Sequence, residues 1–151
     1  MTLSFIFRPA ILSERDTLEA LQRRSSLSNP GDREALLANP DAIELPPEQI
    51  ATGRVFVLEQ RGAIVAFAST VPRDDGDTEL EGLFVEPRVW RKGIGRLLIE
   101  HCEKVARSNG SNGLHVVGNP HAQQFYLACG FDIIGTTQTR FGLGLLLQKT
   151  L

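Results

Sequence analysis

The stretch that most restricts the fold is "TELEGLFVEPRVWRKGIGRLLIEHCEKVARSNG", residues 78–110. Its opening, 78–85, reads as a strand, and from Ile94 to about Asn109 it reads as an amphipathic helix stopped by Gly110. Between them Gly93 and Gly95 sit in a turn flanked by Arg91, Lys92 and Arg96. A strand that feeds a glycine turn and then a helix concentrates bare N–H groups and the positive end of the helix dipole at one point. That is an anion site. It is neither of two familiar phosphate loops. No G-x-x-x-x-G-K-[ST] run exists, and the third glycine of G-x-G-x-x-G would fall on Leu98. On the helix, Ile94, Leu97, Leu98, His101 and Val105 form the apolar face, with Arg96, Glu100, Glu103 and Arg107 opposite.

The rest of the chain supplies strands and short helices around this unit. "LSFIFR" (3–8) reads as a strand ended by Pro9, and Ser13 with Asp16 resembles a capping box for a helix to about Leu27. Asn29-Pro30-Gly31 breaks that helix, and "DREALLA" and "LPPEQIA" offer short ones; residues 24–53 are the least regular part. "RVFVLEQ" (54–60) and "AIVAFASTV" (63–71) form a hairpin over Arg61-Gly62, and "PRDDGD" is a solvated loop. "LHVV" (114–117) is a strand, and Asn119-Pro120 caps and starts a helix to about Cys129. "FDIIGTTQT" and "LGLLLQKTL" close as strands around Phe141-Gly142. With no repeat and no linker, residues 1–151 read as one mixed α/β domain.

Composition narrows the function classes. Sixteen basic against eighteen acidic side chains leave a net charge of −2, which argues against nucleic-acid or membrane-surface partners. No signal peptide is visible, and the longest apolar stretch is far short of a span. Cys102 and Cys129 read as reduced thiols, which suits a cytoplasmic protein. His101, His115 and His121 lack paired ligand spacing, so no metal is expected, and His101 reads as a core histidine.

"LFVEPRVWRKGIGRLLIEH" followed by "NPHAQQFYLACGF" resembles the two hallmark motifs of the GCN5-related N-acetyltransferase (GNAT) superfamily. The second matches at Asn119, Ala122, Phe125, Tyr126, Gly130 and Phe131. Trp90 departs from the family pattern, standing where Gln or Arg is usual; it either packs or covers part of the cofactor. The resemblance implies a central, mostly antiparallel, twisted sheet flanked by helices and splayed between the strands at 78–85 and 114–117. It also implies acetyl transfer from acetyl-CoA to a primary amine of a small molecule or peptide. A homodimer is common in such proteins.

Site residues follow from the same resemblance. The backbone of Arg91, Lys92, Gly93, Ile94, Gly95 and Arg96 would hold the coenzyme A pyrophosphate. The pantetheine would run beside Leu83, Phe84 and Val85, with an N–H near Leu83 polarising the thioester carbonyl. Asn119 would cap its helix and meet the cofactor, and Tyr126 would protonate the leaving sulfur. Glu79, with Glu81 as its alternative two residues along the same strand face, would serve as the base. Phe125 and Phe131 read as core. The acceptor pocket would come from about residues 18–52 and 136–146. An alternative remains: a coenzyme A-binding regulatory module without turnover.

Overall fold

A computed structural model describes residues 5–151. Residues 3 and 4 of the expected first strand lie outside the described residues. One seven-stranded sheet runs through the molecule in the order β1-β2-β3-β4-β5-β7-β6. Its strands are β1 (Phe5–Pro9), β2 (Val55–Gln60), β3 (Ala63–Pro72), β4 (Thr78–Val85), β5 (Gly113–Gly118), β6 (Asp132–Thr139) and β7 (Gly142–Thr150). All neighbours pair antiparallel except β4 with β5. The helices are α1 (Arg15–Ser28), α2 (Pro30–Ala38), α3 (Pro47–Ala51), α4 (Ile94–Ser108) and α5 (Gln123–Ala128).

The β2 sequence Val55-Phe56-Val57-Leu58 explains why helices cover both faces. All four are buried, yet Val55 and Val57 join Leu18, Leu21, Ile50 and Phe67 on one side. Phe56 and Leu58 join Ile94, Leu98, Leu114, Phe131 and Leu147 on the other. A strand apolar at every position must be covered twice. The β2–β3 turn matches its sequence: Arg61 and Gly62 have φ of 54° and 78°, the positive pair that a tight hairpin turn demands.

β1 ends at Pro9 as its sequence indicates, at the sheet edge where the missing N–H costs no ladder bond. Three local expectations are corrected. Ser13 does not cap α1; a 3-10 turn over Leu12–Glu14 precedes the helix, and the Glu14 carboxylate accepts the Ile11 N–H at 2.9 Å. Arg8, six residues earlier, holds that carboxylate at 2.7 Å. On α4 the buried stripe runs through Ile94, Leu98, Ile99, Cys102 and Ala106, with Leu97 and Val105 only partly covered. Glu103, assigned to the polar face, is therefore buried, and Lys149 from β7 neutralises it at 2.7 Å. Lys149 also donates to the Cys129 carbonyl at 2.7 Å, tying α4 to the end of α5. His101 stacks on Phe7 at 4.9 Å and meets Phe56 edge-on, and burial pushes its pKa down. No helix among the described residues is long and apolar enough to cross a membrane.

Candidate active site

The site begins where the sheet opens. β4 and β5 pair only over Thr78–Leu80 with Leu114–Val116, while the other edge of β4 stays paired to β3 as far as Val85. Beyond Leu80 the β5-facing edge of β4 is therefore free of a strand. A bulge marks the same point. Ser69 pairs with Gly82 and Thr70 with Leu80, so Glu81 is the extra residue. Gly82 makes this path possible, because a Cβ there would lie 2.9 Å from Ser69 Oγ and 2.8 Å from Phe84 Cε2. A cleft of about 900 Å³ occupies the opening.

At one end of the cleft lies the glycine turn. Gly93 has φ of 78° and precedes α4, and no side chain caps that helix. Nothing lies within 4 Å of the position a Gly93 Cβ would take. Arg91 also adopts positive φ, 63°, a strained geometry for a residue with a side chain. Gly95 serves a different purpose: a Cβ there would come within 3.0 Å of Phe125 Cζ. The first glycine shapes the concavity, and the second lets α5 close on α4. Trp90 packs, donating its indole N–H to the Val85 carbonyl at 2.7 Å and pinning the turn to the end of β4. It also lines the cleft.

The α5 side supplies Tyr126 and Phe125. Tyr126 rests edge-on against Phe125 and Phe131 with centroids at 5.2 and 5.5 Å. Burial pushes its pKa up to about 12, with Cys129 and Asp32 adding to the effect. The phenol thus stays protonated at physiological pH. Phe131 is core at 2% exposure, but Phe125 is 37% exposed and lines the cleft, correcting its assignment to the core. Asn119 does not cap its helix with its side chain. Its amide instead donates to the Asp32 carboxylate at the start of α2.

Of the expected site residues, Glu81, Leu83, Phe84, Val85, Arg91, Gly93, Ile94, Gly95, Arg96, Asn119 and Tyr126 all line the cleft. Lys92 and Glu79 are not among its lining residues. Glu79 sits on the stretch of β4 still paired to β5, opposite His115, and its carboxylate meets Arg73 at 3.3 Å. Glu81 is exposed and accepts from the Gln49 side chain of α3 at 3.3 Å. Gln49 is itself buried and also donates to the Thr70 carbonyl, so it orients Glu81 from a fixed base.

Sequence reasoning missed the cleft roles of Asp32 and His121, which line it, and of Gln49, which reaches it through Glu81. Burial raises the Asp32 pKa, while the nearby His121 and the Asn119 amide act in the opposite sense. The His121 ring lies where Gly31 lacks a side chain; a Cβ there would fall 1.9 Å from its Cε1. Pro-Gly-Asp after Asn29 was the available signal, read only as a helix break.

A separate cluster brings Asp75, Asp77 and His115 together, with candidate ligand atoms within 4.8 Å of one another. Each already has protein partners. Asp77 accepts from the Asn112 N–H and meets His115 Nε2 at 2.8 Å, and Asp75 accepts from the Asp77 N–H. Asp77 thus clamps the "PRDDGD" loop rather than leaving it simply solvated.

Comparison with known proteins fixes the family. The acetyltransferase (GNAT) family model matches residues 18–131. No curated protein sequence matches the chain significantly. Among solved structures, the PaiA N-acetyltransferase of Thermoplasma acidophilum in complex with coenzyme A is 17% identical with a TM-score of 0.78, over 98% of this chain and 99% of that one. A GCN5-related N-acetyltransferase from Rhodopseudomonas palustris is 21% identical, with a TM-score of 0.76 over 100% and 99% of the two chains. The ribosomal-protein-S18-alanine N-acetyltransferase of Escherichia coli is 19% identical, with a TM-score of 0.71 over 97% and 94%. These likenesses establish a shared fold, and the family match spans the glycine turn, the splayed strand and the Tyr126 helix alike. The chain belongs to the GNAT acetyltransferase family.

Proposed function

We propose that the chain transfers the acetyl group of acetyl-CoA to a primary amine of a small molecule or peptide, by direct attack through a tetrahedral intermediate. The observation that carries this reading is the meeting, in one cleft, of the strand edge freed beyond Leu80 and the uncapped start of α4. Acetyl-CoA, when bound, supplies an acetyl group already activated as a thioester. The chain's residues do the rest. Backbone N–H groups of 91–96 bind the diphosphate, with Arg91 and Arg96 adding charge at the cleft and Lys92 acting at longer range. Because Trp90 takes the Val85 carbonyl, the edge around Leu83 and Phe84 holds the pantetheine as an added strand. Asn119 contributes a polar contact from the β5 side. An N–H near Leu83 stabilises the oxyanion.

Proton traffic divides between two groups. An alkylammonium, with a pKa of about 10, must lose a proton before attack. We assign that proton to Glu81, directly or through water, in preference to Glu79. Glu81 lines the cleft, whereas Glu79 is engaged by Arg73. The departing sulfur takes the Tyr126 hydroxyl proton as the C–S bond breaks, and the phenol's high pKa keeps that proton in place until then. The test is thiol release from acetyl-CoA with a panel of amines. Amine-dependent release with formation of the N-acetyl product is expected. Tight acetyl-CoA binding with no release by any amine would leave a binding module and overturn the reading.

A further inference from the structure

The helix that carries Tyr126 cannot hold itself. α5 has six residues, about one and a half turns, too few to be stable in water alone. None of them is fully buried, and no side chain caps its start. Beyond the Phe125 contact at Gly95, its position is set at the far end. There Gly130 has φ of 93°, the Phe131 N–H donates to the Tyr126 carbonyl at 3.1 Å, and the Gly130 N–H donates to the Leu127 carbonyl at 3.0 Å. This is a Schellman cap, and its apolar contact is the edge-on pair of Phe131 and Tyr126.

The cap leaves the Cys129 carbonyl open, as a helix end must. Lys149 Nζ of β7 donates to it at 2.7 Å and meets the Glu103 carboxylate of α4 at 2.7 Å as well. Gly130 keeps the path clear, since a Cβ there would stand 3.3 Å from that Nζ. One ammonium thus joins α4, β7 and the end of α5, at the third residue after Tyr126. We propose that Lys149, anchored by Glu103, is a positioning residue that sets where the Tyr126 hydroxyl stands in the cleft. The proposal rests on the acetyl-transfer reading above, in which that hydroxyl protonates the departing sulfur.

Stability alone does not call for this pair. Glu103 is 5% exposed and the Lys149 side chain 25%. Desolvating two such charges offsets much of their attraction, and an apolar pair of similar volume would serve the core as well. An apolar pair would not grip the Cys129 carbonyl. It would also lose the fixed spacing that two short charge-assisted bonds impose between α4 and α5. That spacing matters because α4 starts at the glycine turn. The helix whose start would hold the cofactor diphosphate also holds, through Glu103, the acid that must meet the cofactor sulfur. Both reacting groups are then referred to one rigid element.

The test removes the two charges together, since K149M alone would strand the Glu103 carboxylate in the core. E103Q/K149M, Y126F, the triple variant and the wild-type chain are compared in single-turnover acetyl transfer from acetyl-CoA. The acceptor is whichever of putrescine, 2-phenylethylamine and leucine amide the wild type acetylates fastest. E103Q/K149M should lose about tenfold in rate through the displaced hydroxyl, with the acetyl-CoA KM shifted less than about twofold. In the Y126F background the same exchange should cost less than about twofold, because the group it positions is gone. Should E103Q/K149M not fold, K149R, which keeps both charges and moves the donor, takes its place; a loss of about threefold is expected, again only with Tyr126 present. Equal losses in the two backgrounds, or wild-type rates, overturn the proposal and leave acetyl transfer standing. A wild-type rate in Y126F overturns the acid role of Tyr126 and this proposal with it. No amine-dependent thiol release from any of the three amines overturns the acetyl-transfer reading itself.

Discussion

The wall of the cleft at the start of α4 is built from Arg91 and residues 93–96 of one short segment, and its shape depends on the positive φ of Arg91 and Gly93. The facing wall at α2 is held by side chains that join residues 87 positions apart, Asp32 to Asn119, and 101 apart, Asn39 to Arg140. The first wall offers N–H groups and dipole charge, a surface suited to a diphosphate whatever the rest of the chain does. The second offers one carboxylate and a set of apolar side chains. On the proposed reading, the cofactor would be met by backbone and the acceptor by side chains. Substitutions on the two walls should therefore separate acetyl-CoA affinity from acceptor affinity.

Tyr126, between the walls, should give the largest effect. Tyr126→Phe keeps the ring stacked on Phe125 and Phe131 and removes only the hydroxyl. We expect kcat to fall by about 100-fold, the low end for general acid catalysis, with acetyl-CoA affinity nearly intact. Single-turnover rates are the fair measurement, because slow product release would hide the loss. In the wild type, with the phenol pushed up to about 12, activity should not decline through tyrosine ionisation below pH about 11.

Gly93 probes the backbone wall next. Gly93→Val should weaken acetyl-CoA binding by about tenfold or more, since its Cβ projects into the open concavity where the diphosphate would lie. Strain at φ of 78° adds a stability cost of about 1–2 kcal/mol. Gly95→Val should show the reverse balance, costing about 1–3 kcal/mol through the Phe125 contact and altering affinity less. Calorimetric titration beside thermal unfolding distinguishes them; equal effects of the two variants would erase the difference between the glycines.

The two ends of β4 sharpen the comparison at the chemical step. Glu81→Gln should lower turnover near neutral pH by about tenfold and recover as pH approaches 10, where the amine deprotonates unaided. Glu79→Gln, on the paired end, should stay near wild type across the same profile. The opposite ranking would return the base role to Glu79. The smallest effect belongs to the tether. Arg140→Ala removes an exposed pair worth about 0–1 kcal/mol and should raise the amine KM by no more than about threefold, leaving acetyl-CoA binding unchanged.

How far the sequence could be read followed the range of the interactions involved. β4 spans Thr78–Val85 as its apolar pattern indicated, and α4 stops at Ser108 before a left-handed Gly110. Both depend on contacts between near neighbours in the chain. The α4 face was misread because Glu103 counts as polar in any periodic pattern, and only β7 brings Lys149 to it. The start of α1 was misread because Glu14, not Ser13, meets the Ile11 N–H, and Arg8, which holds Glu14, is itself fixed by Glu59, 51 residues away on β2. Phe125 read as core because an aromatic on a helix usually packs inward, yet here the cleft removes the neighbour it would have packed against.

The sequence by itself determined the strand-turn-helix that carries the glycines, the order of the elements and the placing of Tyr126 on the following helix. These are set by backbone preference and hydrophobic period, which act over a few residues. Only the tertiary structure decided that Glu81 faces the opening while Glu79 is held by Arg73, and that Asp32 stands in the cleft wall. A bulge opposite Ser69 and Thr70, and a helix tethered to Asn119, 87 residues away just past β5, set those positions. Neither leaves a periodic trace, because each depends on which distant segment the folded chain brings alongside.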